Sequence, residues 1–172
     1  MSAPNIFGET PMRWLLASEV AFLKAEFKLL KGDKSGAKSD YEEGIRLSFL
    51  ENGLSASDAA DYAQSMKTPA RFIDMSDATN FDERLEKIIT QKWIALYPNG
   101  MEAWAEFRRT GFPKLFPINE NSNDPSIDKN KQIRRVIFPK SEYANNAGAV
   151  NAATRLLGGP DRGGTRLWWD AR

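Results

Sequence analysis

One stretch limits the folds open to this chain more than any other. It runs from Asn80 to Pro113 and reads N-F-D-E-R-L-E-K-I-I-T-Q-K-W-I-A-L-Y-P-N-G-M-E-A-W-A-E-F-R-R-T-G-F-P. Phe81, Leu85, Ile88, Ile89, Trp93 and Leu96 recur at helical spacing and predict a long amphipathic helix. Asn80 suits its N-cap, and Glu83 stands where a capping-box acid belongs. Pro98-Asn99-Gly100 must break that helix. Met101 to Thr110 then predicts a second, short helix that closes on Arg108 and Arg109, with Gly111 and Pro113 as its stop. The whole stretch reads as a structural hinge between a core helix and an irregular tail.

Upstream, a helix is expected from about Pro11 to Lys31, with Thr10 as N-cap, Pro11 in the first position and Gly32 as stop. Its apolar set includes Trp14, Leu15, Leu16, Val20, Phe22, Leu23, Phe27, Leu29 and Leu30. Ala17, Ala21 and Ala25 form a ridge of small residues that another helix can approach closely. A second helix is expected over Ala37 to Leu50, ended by Asn52-Gly53, with Tyr41, Ile45, Ser48 and Phe49 on one face. The pair reads as an αα-hairpin, loosely like one tetratricopeptide unit, with no second copy at the repeat period of about 34 residues. A short helix follows from Ser57 to Met66, capped by Ser55 or Ser57. Beyond Phe112 the chain is rich in Pro, Asn, Ser and Asp and reads as loop. Ile133 to Phe138 supports at most a short edge strand, and Asn146 to Leu157 predicts one more helix. The expectation is a single, mostly α domain over 1–172. It comprises a helical hairpin (11–53), a core helix pair (80–111) and an irregular segment with one helix (112–172).

Composition removes several kinds of chemistry. The chain has no cysteine and no histidine. Disulfides, thiolate metal sites, cysteine nucleophiles and histidine-based triads are therefore excluded within it. A formal net charge of +1 gives no electrostatic reason to expect nucleic acid. Met1 to Pro11 lacks the basic and apolar segments of a signal peptide, and no apolar run approaches the roughly 20 residues of a membrane helix.

Few residues suggest a site. Arg108 and Arg109 could clamp a carboxylate bidentately. The structural reading, in which they satisfy carbonyls at a helix C-terminus, is favoured. Trp14, Trp93 and Trp104 lie in helical stripes and are expected in the core. Trp168 and Trp169 are adjacent in an extended tail, so one ring is expected to pack and the other to be exposed. Glu102 and Glu106 have a spacing open to a carboxylate-based glycosidase, but such pairs usually serve surface solvation. Asn119 to Asp128 is rich in oxygen ligands without the spacing of a calcium loop, and reads as a polar loop.

The motifs occur in a telling order. They are Q-K-W-I-A-L (Gln91 to Leu96), N-G-M-E-A-W (Asn99 to Trp104), R-R-T-G-F-P (Arg108 to Pro113), I-R-R-V-I-F-P (Ile133 to Pro139), S-E-Y-A-N-N (Ser141 to Asn146) and L-W-W-D (Leu167 to Asp170). Upstream stand L-L-A-S-E-V-A-F-L-K-A-E (Leu15 to Glu26), Gly32 and Y-E-E-G-I-R-L-S (Tyr41 to Ser48). Together they resemble the C-terminal portion of the SusD/RagB family of outer-membrane nutrient-binding lipoproteins. Trp93, Asn99, Gly100, Trp104, Arg108, Arg109, Gly111, Pro113, Arg135, Pro139, Asn146 and Trp169 carry the signature.

The resemblance implies a protein at the bacterial cell surface, held by a lipid anchor on sequence outside this chain. It implies glycan binding and a TonB-dependent transporter as partner, with no enzymatic activity, cofactor or nucleic acid. It assigns no ligand residue outright; Trp168, Trp169 and Arg109 are the weak candidates. A tetratricopeptide-type interaction module is the alternative, and a glycosidase using Glu102 a more distant one. A hairpin taken from a helical array leaves an apolar face uncovered. The helix from Trp14 to Phe27 is therefore expected to expose a patch or to cover it by self-association.

Overall fold

The computed structural model describes residues 8–9, 13–64, 74–118, 125–130 and 132–170. It divides the chain into two compact units, Met1–Ala95 and Leu96–Arg172. The boundary falls inside the stretch that the sequence joins into one helix pair, so its two helices belong to different units. Among the described residues, seven α-helices, one 3-10 turn and no strand are found. The mostly α expectation therefore holds, and Ile133 to Phe138 has no regular secondary structure where the sequence allows a short edge strand.

In the first unit, α1 (Ala17–Leu30) and α2 (Lys34–Glu51) form the hairpin, followed by α3 (Ala56–Gln64), a 3-10 turn at Met75–Asp77, and α4 (Phe81–Ala95). The expected start of α1 needs correction, because Leu16 holds its N-cap position without a side-chain bond. The helix is capped from a distance. The Glu51 carboxylate at the end of α2 accepts the Ser18 amide at 3.0 Å and the Ser18 hydroxyl at 2.6 Å. A carboxylate there satisfies free amides and complements the helix dipole. Trp14 lies before the helix and is 85% exposed, against the expectation of a core position. Thr10 and Pro11 lie outside the described residues.

The hairpin packs on Ala21, Phe22, Ala25 and Leu29 of α1 and on Ala37, Tyr41 and Ile45 of α2. Ala17 is exposed, so the small-residue ridge is shorter than expected. Phe22 meets Tyr41 edge to face with centroids 6.3 Å apart. At Gly44 the ring lies so close that an added Cβ would stand 2.6 Å from it. α2 begins earlier than expected because Asp33 caps it, accepting the Gly36 amide at 2.8 Å. It ends with Leu54 donating to Phe49 and Gly53 to Leu50, the paired bonds of a Schellman motif. Ser55 and Asp58 bond reciprocally at the start of α3, as the sequence predicts for Ser55. α4 is capped by Asn80, which accepts the Glu83 amide at 2.9 Å, while Glu83 reaches back to the Thr79 amide at 2.7 Å. Its buried face holds Leu85, Ile88 and Ile89, whereas Phe81 and Trp93 sit at exposed margins.

α1 has a second apolar line. Leu16, Val20, Leu23, Phe27 and Leu30 follow one another at steps of four and three residues. Val20, Leu23, Phe27 and Leu30 are exposed. This is the spacing of a narrow helix-to-helix seam. The isolated chain is expected to associate through it, or to bind a hydrophobic dye strongly. Leu23→Lys with Phe27→Lys should abolish either behaviour. Light scattering that shows a monomer, together with no dye binding, would contradict the expectation.

The second unit contains α5 (Gly100–Thr110), α6 (Lys140–Asn145) and α7 (Ala147–Leu156). Asn99 caps α5 by accepting the Glu102 amide at 3.3 Å. Gly111 ends it at φ +77°, a left-handed conformation that a side chain disfavours. α7 matches the helix predicted from Asn146, and α6 is an additional turn-length helix before it.

Candidate functional site

The irregular segment after Gln132 determines how the second unit is held together. Arg134 and Arg135 are adjacent on this segment. Each meets an aspartate from the tail. Arg134 donates through Nε to Asp170 at 2.7 Å and through Nη2 to the other carboxylate oxygen. Its Nη2 also donates to the Arg108 carbonyl at 3.0 Å. Arg135 donates to Asp161. Asp161 also accepts the Tyr143 hydroxyl at 2.7 Å and the Phe138 amide at 3.1 Å. All four charged side chains are buried. The Arg134 and Arg135 amides both donate to the Gly163 carbonyl, at 2.8 and 3.2 Å.

α5 docks on the same segment. Trp104 Nε1 donates to the Ile133 carbonyl at 3.0 Å, and Arg108 Nη1 to the Arg134 carbonyl at 3.0 Å. The Arg108 guanidinium lies 3.7 Å from the Trp104 ring centroid and 4.8 Å from that of Trp169. Two aromatic faces on one cation make a rigid stack. Burial pushes the Arg108 guanidinium below its ordinary value, Asp170 opposes this and Arg134 adds to it. An arginine nevertheless stays charged in a protein. Arg108 thus bonds a carbonyl of a neighbouring segment, where the structural reading expected those at the end of its own helix.

The three candidate ligand residues have different surroundings. Trp169 is half-buried against Arg108. Trp168 is 92% exposed, and the two rings differ as expected, although they occupy a turn. Arg109 makes a two-pronged contact with Glu106, at 3.1 and 2.7 Å. That contact pairs Arg109 with Glu106 on the same helix. Among the described residues no group of three acids could hold a metal, and no helix is long and apolar enough to cross a membrane. Sequence reasoning missed Arg134, Asp161 and Asp170. Their signal was faint: charged residues beside bulky apolar ones in segments with no helical period.

Asp161 makes acid sensitivity testable. Burial pushes its carboxyl up, but the bonds from Arg135, Tyr143 and the Phe138 amide outweigh this and hold it below the usual carboxylate range. An unfolded aspartate titrates near ~3.9. A folded value below that means the unfolded state binds the proton first. The contribution is present above pH ~4 and is lost as pH falls through the folded value. Urea melts from pH 6 down to 2 should show this decline, and Asp161→Asn should flatten it. An unchanged acid slope in the variant would contradict the assignment.

The comparisons with known proteins agree with this architecture. The family model described as SusD-like, the SusD and RagB outer membrane lipoproteins, matches residues 1–170. A SusD homologue from Bacteroides vulgatus is 40% identical with a TM-score of 0.85, over 99% of this chain and 38% of the homologue. A second, from Bacteroides thetaiotaomicron, is 39% identical with a TM-score of 0.82, over 97% of this chain and 40% of its own. A chitin-binding SusD homologue from Flavobacterium johnsoniae is 40% identical with a TM-score of 0.78, over 91% of this chain and 36% of its own. No curated protein matches. The chain spans about two-fifths of the length of these solved relatives. With its motifs in order, the family match over nearly its whole length and the shared helical fold, the chain belongs to the SusD-like family of outer membrane lipoproteins.

Proposed function

We propose that this chain is the C-terminal part of a glycan-binding protein at the cell surface that passes polysaccharide to a TonB-dependent transporter without breaking bonds. The observation that carries the reading is Trp168: a bare indole at a turn whose neighbour, Trp169, is fixed on the Arg108 stack. A flat apolar face with a donor at its edge suits the face of a sugar ring. The chitin-binding relative supports glycan as the ligand class. One ring is a small platform, so the main binding surface lies outside this chain. The C-terminal portion acts chiefly as scaffold.

Calorimetry with a neutral chitooligosaccharide tests this. The chain alone should bind more weakly than about 1 mM, equivalent to roughly −4 kcal/mol. Micromolar binding would overturn the division of labour. Measurable hydrolysis of the same sugar, lost in Glu102→Gln, would overturn the non-enzymatic reading.

A further inference from the structure

A second feature of the same unit has a different chemistry. An open hollow of about 400 Å³ lies beside α5, within the roughly 300–1,000 Å³ range of small-molecule sites. Phe107 and Leu115 supply its apolar lining, and Lys114, Asn130, Arg134 and Arg166 supply the polar part. Among the described residues no aspartate or glutamate lines it, although the Asp170 carboxylate stands behind both arginines. Arg134 is committed to Asp170, with its guanidinium 5.5 Å from the Phe107 ring centroid. Arg166 is held more loosely. Its Nη1 lies 3.3 Å from the Asp170 carbonyl and 3.8 Å from the Asp170 carboxylate, and about a third of its side chain is exposed. Lys114 and Asn130 are exposed at the rim, and the Asn130 amide is held by Asp128 at 2.8 Å.

These groups form a set suited to one kind of ligand. An arginine has five N–H donors in a planar fork, and Arg166 uses one of them in its bond to the Asp170 carbonyl. A fork, an ammonium and a side-chain amide around apolar carbons match a ring that carries one carboxylate and has one apolar face. We propose that this hollow binds an acidic sugar residue, with its carboxylate between Arg166 and Lys114 and its apolar face against Leu115, above the buried Phe107. The proposal rests on the glycan-binding reading and narrows it to sugar acids at this position. A sulfated sugar shares the anionic chemistry, and a guanidinium fork also binds tetrahedral oxyanions, so the test sets the two side by side.

The test titrates the chain with a trigalacturonate, with the matching neutral galactose trisaccharide and with a sulfated galactose trisaccharide. Amide shifts in NMR spectra report the binding. The trigalacturonate should bind roughly tenfold or more tightly than the neutral sugar, as a charge-assisted hydrogen bond warrants, and more tightly than the sulfated one. The shifts should map to the backbone around Phe107, Leu115 and Asn130. Arg166→Gln and Lys114→Gln should each weaken trigalacturonate binding by about tenfold, with the amide spectrum of the folded chain retained. Equal affinity for acidic and neutral sugars, no binding of the trigalacturonate, preference for the sulfated sugar, or unaltered binding in the double variant would each overturn the proposal. Micromolar binding of neutral chitooligosaccharide would instead overturn the division of labour proposed above, so the two failures are distinct.

Discussion

Asp170→Ala lowers the unfolding free energy of the second unit by about 3–5 kcal/mol, the cost of leaving a buried partner charge uncompensated. Asp170 is almost wholly buried and holds two nitrogens of Arg134, which is nearly as buried. Without it, the Arg134 guanidinium retains the Arg108 carbonyl as an acceptor but loses its counter-charge. The damage should spread, because the Arg134 backbone also anchors Arg108, and Arg108 carries Trp169. Urea denaturation followed by tryptophan fluorescence measures the loss. Arg134→Met combined with Asp170→Leu should lose markedly less than Asp170→Ala alone, since removing both charges removes the desolvation cost. A loss below about 1 kcal/mol for Asp170→Ala would mean that water reaches the pair.

Phe22→Ala in the first unit should cost about 3–5 kcal/mol. Phe22 is 1% exposed, edges onto Tyr41 and presses on Gly44. It also borders a hollow of about 200 Å³ with Ile45, Phe49 and Ile94, so truncation enlarges a void that the helices have not closed. Gly44 supplies an internal control. In the wild-type background Gly44→Ala forces a Cβ into the Phe22 ring and should cost about 1–3 kcal/mol. With Phe22→Ala present the clash is gone, and alanine should gain up to about 1 kcal/mol over glycine through helix propensity. The sign of the Gly44 effect therefore reverses between backgrounds, a coupling that chemical denaturation of the four proteins measures directly. Additive effects would show that Phe22 and Gly44 do not share this contact.

Local signals were the legible part of the fold. Asn80, Asn99 and Gly111 punctuate the helices where the sequence places them, because caps and stops depend on residues within one turn. Distant partners were not legible. The start of α1 is set by Glu51, 33 residues away, which no local pattern announces. Both faces of α1 are apolar, so periodicity identifies a helix without saying which face is buried. The choice falls on Ala21, Phe22, Ala25 and Leu29 because α2 offers Gly44 and Tyr41 to them. At the candidate site, Trp168 and Trp169 differ in exposure as the sequence led us to expect, but on a turn and not on the extended tail from which alternation argued it. The partner of Arg109 sits three residues back and was open to helix reasoning. The aspartates that meet Arg134 and Arg135 lie 36 and 26 residues further on, in a tail without regular period.

That separation has a consequence for synthesis. A ribosome adds roughly 5–20 residues per second, so Arg134 emerges about 2–7 s before Asp170. Arg135 must remain hydrated until Asp161 emerges and Arg134 until Asp170 does, since burying either one alone would cost several kcal/mol. The first unit, complete at Ala95, can close while its successor is still waiting. The second unit closes only when its last counter-charge arrives, so a nascent chain halted between Asp161 and Asp170 would carry one of its two arginine locks.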